Sequence, residues 1–143
     1  MSLYFSEKSE VAPNLWMGGV PSKVTNEFVG VVSLYPWETY YVAPGVDQLE
    51  YPMYDSSAQL VDRSVMNYIT DWINVRRLLG PVLVHCQAGL NRSGLVTAYT
   101  LMRDGLTAND AIETLRTKRS PHVLCNRSFE KWLREQEGVS HDR

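Results

Sequence analysis

Cysteine is scarce in this chain, with 2 among 143 residues, too few for the disulfide framework that holds small secreted domains together. Long apolar runs are also missing, and no stretch approaches the ~20 residues needed to cross a bilayer. The opening segment, Met1 to Glu10, is mixed and polar, with Glu7 and Glu10 where a signal peptide would carry its apolar run. These absences lead to the expectation of a soluble, intracellular, cytoplasmic protein in a reducing compartment, with no membrane partner. Basic charge is not in excess. The 14 Lys and Arg stand against 16 Asp and Glu, for a net charge of −2, which counts against a phosphate-tracking nucleic-acid surface and so against a nucleic-acid partner. There is no internal repeat, low-complexity tract or Gly/Ser/Pro linker, so residues 1–143 read as one domain.

What is there is an ordinary globular composition, 44% hydrophobic and 21% charged, with two patterns in succession. The first third reads as strands and turns. Asn14 to Gly19 is a short apolar run closed by a glycine pair, and Val29 to Tyr35 is β-branched and stops at Pro36. The stretch from Trp37 to Gly45 reads as irregular and aromatic. Gln48 to Tyr54 alternates and predicts a further strand running up to Asp55. The pattern then turns helical. Val61, Val65, Tyr68, Ile69, Trp72 and Leu79 recur at three- and four-residue steps, predicting a helix over about residues 60–79 that Gly80-Pro81 ends. Pro81 to His85 has the character of a buried parallel strand. Leu95, Ala98, Tyr99 and Met102 give a second helical stripe ending near Gly105. Thr107 to Asp110 resembles a capping box that opens a third helix, and Phe129, Trp132 and Leu133 mark a last one. The expected class is α/β, with a central, mostly parallel sheet of about four to five strands flanked by helices.

The segment that carries chemistry runs from Val84 to Gly94, leaving a buried strand and entering a helix. The first N–H groups of a helix lack intrahelical partners and the dipole is positive there, so the junction suits an anion. Gly89 allows the backbone to curl until several N–H groups converge. Arg92 follows Cys86 by six residues, which brings a guanidinium fork to the rim of the same cradle. The field that attracts a phosphate also favours a sulfur anion at Cys86, and a thiolate aimed at phosphorus is a nucleophile. A Cys and an Arg at this spacing occur by chance, and a cysteine is commonly just a small buried hydrophobe. The coincidence of His85, Gly89, Ser93 and Gly94 around them, with the right flanking elements, argues against chance. Cys125 has Lys131 at the same spacing and none of those flanks.

His85-Cys-Gln-Ala-Gly-Leu-Asn-Arg-Ser-Gly94 resembles the H-C-x-x-G-x-x-R-[S/T]-G loop of cysteine-based protein phosphatases, and the whole chain resembles a compact dual-specificity phosphatase. The resemblance is strong over residues 80–95 and collinear but weaker over about 10–135. It implies a phosphotyrosine-phosphatase-like fold with the phosphate loop between a strand and a helix. It also implies Cys86 as nucleophile and Arg92 as the grip on the transferring phosphoryl group. The loop residues Gln87, Ala88, Gly89, Leu90 and Asn91 would supply phosphate-binding N–H groups. Asp55, 31 residues before Cys86, takes the place of the family's general acid. Ser93 takes that of the hydroxyl that stabilises the departing sulfur, and His85 that of the residue that positions the loop and tunes the thiol. No metal and no cofactor are expected.

Alternatives stay open at several positions. Asp47, in a turn-like region, and Asp62, at the start of the long helix, compete with Asp55, which could itself cap a helix. Asn126 is either a support for the active-site loop, as in related phosphatases, or a helix cap. Cys125 is either a buried inert thiol or a redox partner of Cys86. Trp37, Tyr40 and Tyr41 either wall the entrance or pack a core. His122 and His141 have no metal-ligand spacing and read as surface residues. The leading function is a protein phosphatase acting on phosphotyrosine, with phosphoserine and phosphothreonine as further substrates and a phosphorylated protein as partner. The second is the same chemistry on a phosphoinositide or an RNA 5′ end. The loop lacks the Lys or Arg usual in lipid-active relatives, whereas Asn91 matches the Asn found before Arg in RNA-active ones. The third is a rhodanese-like sulfurtransferase or a catalytically silent phosphate-binding module.

Overall fold

The computed structural model describes residues 7–138. Strand β1 (Lys8–Ala12) turns back on β2 (Leu15–Gly18) through Asn14, which takes a positive φ of 59°, a conformation that asparagine tolerates better than most residues. A two-residue strand β3 (Lys23–Val24) precedes β4 (Gly30–Ser33). A matching fragment β5 (Tyr41–Val42) precedes β6 (Asp47–Glu50). After a 3₁₀ turn at Ala58–Leu60 come helix α1 (Arg63–Arg77), strand β7 (Val82–His85) and helices α2 (Arg92–Arg103), α3 (Ala108–Lys118) and α4 (Arg127–Gln136).

The main sheet has the order β1-β2-β7-β4-β6 and is parallel except for the antiparallel pair β1/β2. β7 lies at its centre, with His85 opposite Gly18 on one side and Ser33 on the other. Side chains alternate between the two faces with the period of a strand. Leu15, Met17, Val32, Val82 and Val84 enter the core beneath the helices. Trp16, Val31 and Leu83 enter a smaller cluster with Val24, Phe28 and Val46 on the other face. His85 falls on that second face by parity with Leu83, and this decides its neighbours.

Helix α2 is buried from Arg92 to Met102, wrapped by the sheet and by α1, α3 and α4. Its interior threonines turn their hydroxyls onto the helix itself, Thr97 donating to Ser93 O at 2.7 Å and Thr100 to Val96 O at 2.8 Å, so neither hydroxyl is stranded in the core. Full burial of each apolar side chain such as Leu95 or Val96 contributes about 1.5–3 kcal/mol. The rod that starts at the functional loop is therefore anchored along its whole length.

The expected fold class holds, and three details differ. The N-terminal strand β1 was unforeseen. The strand expected over residues 48–54 ends at Glu50, so Asp55 sits in a loop. The aromatic stretch from Trp37 contains the fragment β5, which pairs in parallel with β3. The long helix occupies Arg63–Arg77, inside the expected limits, because Asp62 caps it by accepting Ser64 N–H at 2.9 Å. Thr107 caps α3 by accepting Asp110 N–H at 3.1 Å, the one half of a capping box that is present.

Candidate active site

Between β7 and α2 the chain makes a tight loop, and the destinations of its carbonyls explain its shape. Gln87 O accepts Val20 N–H at 3.2 Å, and Leu90 O accepts Leu124 N–H at 3.1 Å. Asn91 O accepts Leu95 N–H at 2.8 Å in the first turn of α2. Ala88 O and Gly89 O accept from the Arg119 guanidinium at 3.4 and 2.7 Å. A trans peptide points its N–H opposite to its C=O. Five successive carbonyls tied on the outside therefore turn the N–H groups of Ala88, Gly89, Leu90, Asn91 and Arg92 inward. Gly89 N–H does reach Cys86 Sγ, at 3.3 Å. Gly89 has φ +74°, and a Cβ there would lie 2.4 Å from Gly18 C and 2.5 Å from Gly19 N. The glycine pair at the end of β2 and the glycine of the loop thus form one backbone-to-backbone contact.

Cys86 Sγ is buried at the mouth of α2 and lies 3.3 Å from Ser93 Oγ. Arg92 opens α2 and is itself buried. Its Nη1 donates to Met53 O at 3.0 Å, and its guanidinium stacks over the Tyr35 ring at 5.1 Å. Its Nε–H is buried without a partner among the described residues. A buried donor left open is costly unless something arrives to accept it.

Asp55 stands in the loop after β6. Its two oxygens accept from two amides, Asn91 Nδ2 at 2.9 Å and Asn126 Nδ2 at 2.7 Å. Asn91 Oδ1 in turn accepts Asn126 N–H at 2.9 Å. This network assigns both amide orientations, since the carboxylate can only accept and the backbone N–H can only donate. The two alternatives for Asn126 do not exclude each other, because its Oδ1 caps α4 through Phe129 N–H at 3.2 Å while its Nδ2 and N–H bond to Asp55 and Asn91. The rivals of Asp55 are occupied elsewhere. Asp62 is the α1 cap, and Asp47 pairs with Arg76 at 3.1 Å. Ser57, not Asp55, caps the 3₁₀ turn.

Behind the loop, His85 Nδ1 lies 3.2 Å from Cys86 O and Nε2 meets Tyr40 Oη. Burial lowers the His85 pKa to about 4 and, aided by Glu50, raises that of Tyr40 to about 12, so both are neutral near pH 7. The carbonyl requires a donor at Nδ1, which leaves Nε2 to accept the phenol proton.

One expectation changes here, and the alternatives left open for the aromatic residues divide. Tyr40 takes the core-packing alternative, turned inward onto His85. Tyr41 lies in β5, and the exposed aromatic group beside the acid loop is instead Trp37 with Tyr54, whose ring centroids are 5.4 Å apart. Cys125 is exposed rather than buried and lies 3.5 Å from Asn91 Nδ2. His122 is exposed as expected, and His141 lies outside the described residues. Arg119 went unforeseen. Its setting, Lys118-Arg119-Ser120 at a helix end, looks the same as that of a solvated cation, and no sequence signal distinguishes the two.

The dual specificity phosphatase catalytic-domain model matches residues 22–138. The chain belongs to the dual specificity phosphatase family. "MAP kinase phosphatase with leucine-rich repeats protein 3" of Dictyostelium discoideum is 27% identical over 150 residues, covering 96% of this chain and 17% of that protein. Dual specificity protein phosphatase 12 of Rattus norvegicus is 29% identical over 145 residues, covering 93% and 42%. The chain therefore spans less than half the length of these two relatives. The crystal structure of human DUSP28 superposes with a TM-score of 0.80 at 25% identity, covering 90% of this chain and 94% of that one. No helix among the described residues is long and apolar enough to cross a membrane.

Proposed function

We propose that this chain hydrolyses phosphate monoesters on protein side chains, phosphotyrosine first and phosphoserine and phosphothreonine as well, through a cysteinyl-phosphate. What supports the reading is that one loop carries Cys86 Sγ, the inward amides and the open Nε–H of Arg92, and that the Asp55 carboxylate is bonded to Asn91 of the same loop. The Cys86 thiolate attacks phosphorus in line with the departing ester oxygen. Arg92 and the loop amides hold the three equatorial oxygens, where stabilisation matters most in phosphoryl transfer. Asp55 gives its proton to the leaving oxygen, and then takes one from the water that hydrolyses the S–P bond. Ser93 Oγ, 3.3 Å away, donates to the sulfur as it leaves.

Asn91, the residue that favoured an RNA 5′ end, makes its side-chain bonds to Asp55 and to Asn126 N–H. It is part of the protein's own framework, which removes the sequence argument for an RNA substrate. A sulfurtransferase would have no use for the clamped Asp55.

The test is Cys86→Ser on an aryl phosphate. Hydrolysis should vanish while phosphate still binds. Full activity in the variant would remove Cys86 from the mechanism. Rates of the wild-type chain on matched phosphotyrosine, phosphothreonine, phosphoinositide and triphosphate-ended RNA substrates then rank the substrate classes.

A further inference from the structure

The five outward carbonyls of the phosphate loop are not all held alike. Three accept from backbone N–H groups. The other two, Ala88 O and Gly89 O, depend on one side chain, Arg119, which reaches back 30 residues in sequence from the end of α3. The same guanidinium fills the space a Cβ on Gly89 would need, 2.6 Å from its Nη2. It is secured on its far side by a 3.3 Å contact of Nη1 with Ser9 Oγ on β1. It therefore has one available arrangement, behind the loop with both of its other nitrogens on carbonyls.

We infer that Arg119 is a positioning residue of the catalytic loop, fixing the peptide planes whose N–H groups belong to Gly89 and Leu90 and placing a fixed cation behind Cys86. The inference rests on Cys86 being the nucleophile. The planar trans peptide transmits the effect. Holding Ala88 O fixes Gly89 N–H, which donates to Cys86 Sγ at 3.3 Å. Holding Gly89 O fixes Leu90 N–H in the same cradle. Burial disfavours the Arg119 cation, while the fields of Cys86 and Glu7 favour it. Arg119 bonds to the loop carbonyls and to Ser9 rather than to the sulfur, so it acts on Cys86 through the loop's peptide planes and through its charge.

The experiment compares wild type with Arg119→Met and Arg119→Lys in two readouts. One is the pH dependence of Cys86 alkylation by iodoacetamide, followed by mass spectrometry of the Cys86 peptide. The other is inhibition by vanadate, or its direct binding. Losing the cation and one fixed amide should move the alkylation midpoint of Arg119→Met upward by about one pH unit, a roughly tenfold lower rate on the acid side. Vanadate should weaken by about tenfold or more, since a five-coordinate oxyanion needs both amides. Arg119→Lys restores the charge without the two-carbonyl fork. Its alkylation midpoint should return towards wild type while vanadate stays weakened. That split is one a merely structural arginine would not produce. Wild-type alkylation and vanadate binding in Arg119→Met would overturn the inference, as would equal recovery of both readouts in Arg119→Lys. Should Arg119→Met fail to fold by circular dichroism, the lysine variant alone decides by the same split. Neither readout requires turnover. A wild-type chain that alkylates at Cys86 but hydrolyses no phosphate ester would refute the proposed function and leave the Arg119 result standing.

Discussion

Tyr40 Oη donates to His85 Nε2, and the opposite ring nitrogen, Nδ1, faces the carbonyl of Cys86 at 3.2 Å. A neutral imidazole satisfies both partners at once. An imidazolium satisfies only the carbonyl and must do so inside the sheet, where His85 is fully buried.

That arrangement fixes a pH dependence. Burial lowers the His85 pKa to about 4, against about 6.5 in an unfolded chain. Between those values the unfolded chain binds the proton and the folded one does not. The contribution of His85 is therefore fully present above about pH 6.5 and is lost as pH falls towards 4, by up to about 3 kcal/mol. Urea midpoints for wild type and His85→Asn across pH 4–7.5 should converge on acidification. Parallel curves would mean that the ring is not held neutral.

Asn91 links Asp55 to the start of α4, and its removal should be felt in both places. In Asn91→Ala, Asn126 N–H loses its acceptor, at a cost of about 1–2 kcal/mol. Asp55 keeps only one of its two amides, so turnover of a phosphotyrosine peptide should fall by roughly tenfold. Asn91→Asp should do worse, since two carboxylates would then face each other. Melting temperatures and kcat on that peptide check both effects. An Asn91→Asp variant as active as wild type would show that Asp55 does not depend on this clamp.

The legible and illegible parts of the site divide by sequence distance. Cys86, Arg92 and Ser93 lie on one strand–loop–helix unit, where spacing alone dictates their meeting. Asp55 could be chosen only by its distance from Cys86, and the contacts that excluded Asp47 and Asp62 became visible in three dimensions. Tyr40 was ambiguous because its partner, His85, lies 45 residues away. The sheet face on which they meet follows from the parity of His85 with Leu83. β1 was missed because its sequence, KSEVA, is polar and carries one fully buried residue, Val11. An edge strand paired on one side needs little apolar pattern. Arg119 lay beyond inference, since burial rather than residue type distinguishes it.

Gly89→Ala tests the backbone contact beneath the loop. A Cβ at Gly89 would press into Gly18 and Gly19, which are backbone and cannot rotate away, and φ is +74°. Gly105→Ala is the control, because its φ is also positive, at +115°, with nothing within 4 Å. Gly105→Ala should cost about 1–2 kcal/mol from conformation alone. Gly89→Ala should cost about 2–3 kcal/mol more and abolish aryl phosphate hydrolysis. Equal costs in denaturant titrations would show that the loop can move off the glycine pair.

Asp55→Asn separates general-acid duty from framework duty. An asparagine there keeps an acceptor for one of the two amides and sets its own NH2 against the other, a framework loss that falls alike on every substrate, whereas the loss of the transferable proton does not. An ester oxygen that leaves readily as an anion needs little help, whereas one with a high pKa depends on the proton. Rates on a series of aryl phosphates should therefore fall unevenly. The loss should be less than about tenfold for a nitrophenyl ester and about a hundredfold or more for an unsubstituted phenyl ester or a phosphotyrosine peptide. The variant's plot of log rate against leaving-group pKa should be steeper than the wild-type plot. Two parallel lines would place Asp55 in the framework and send the search for the proton donor to another group beside the phosphate loop.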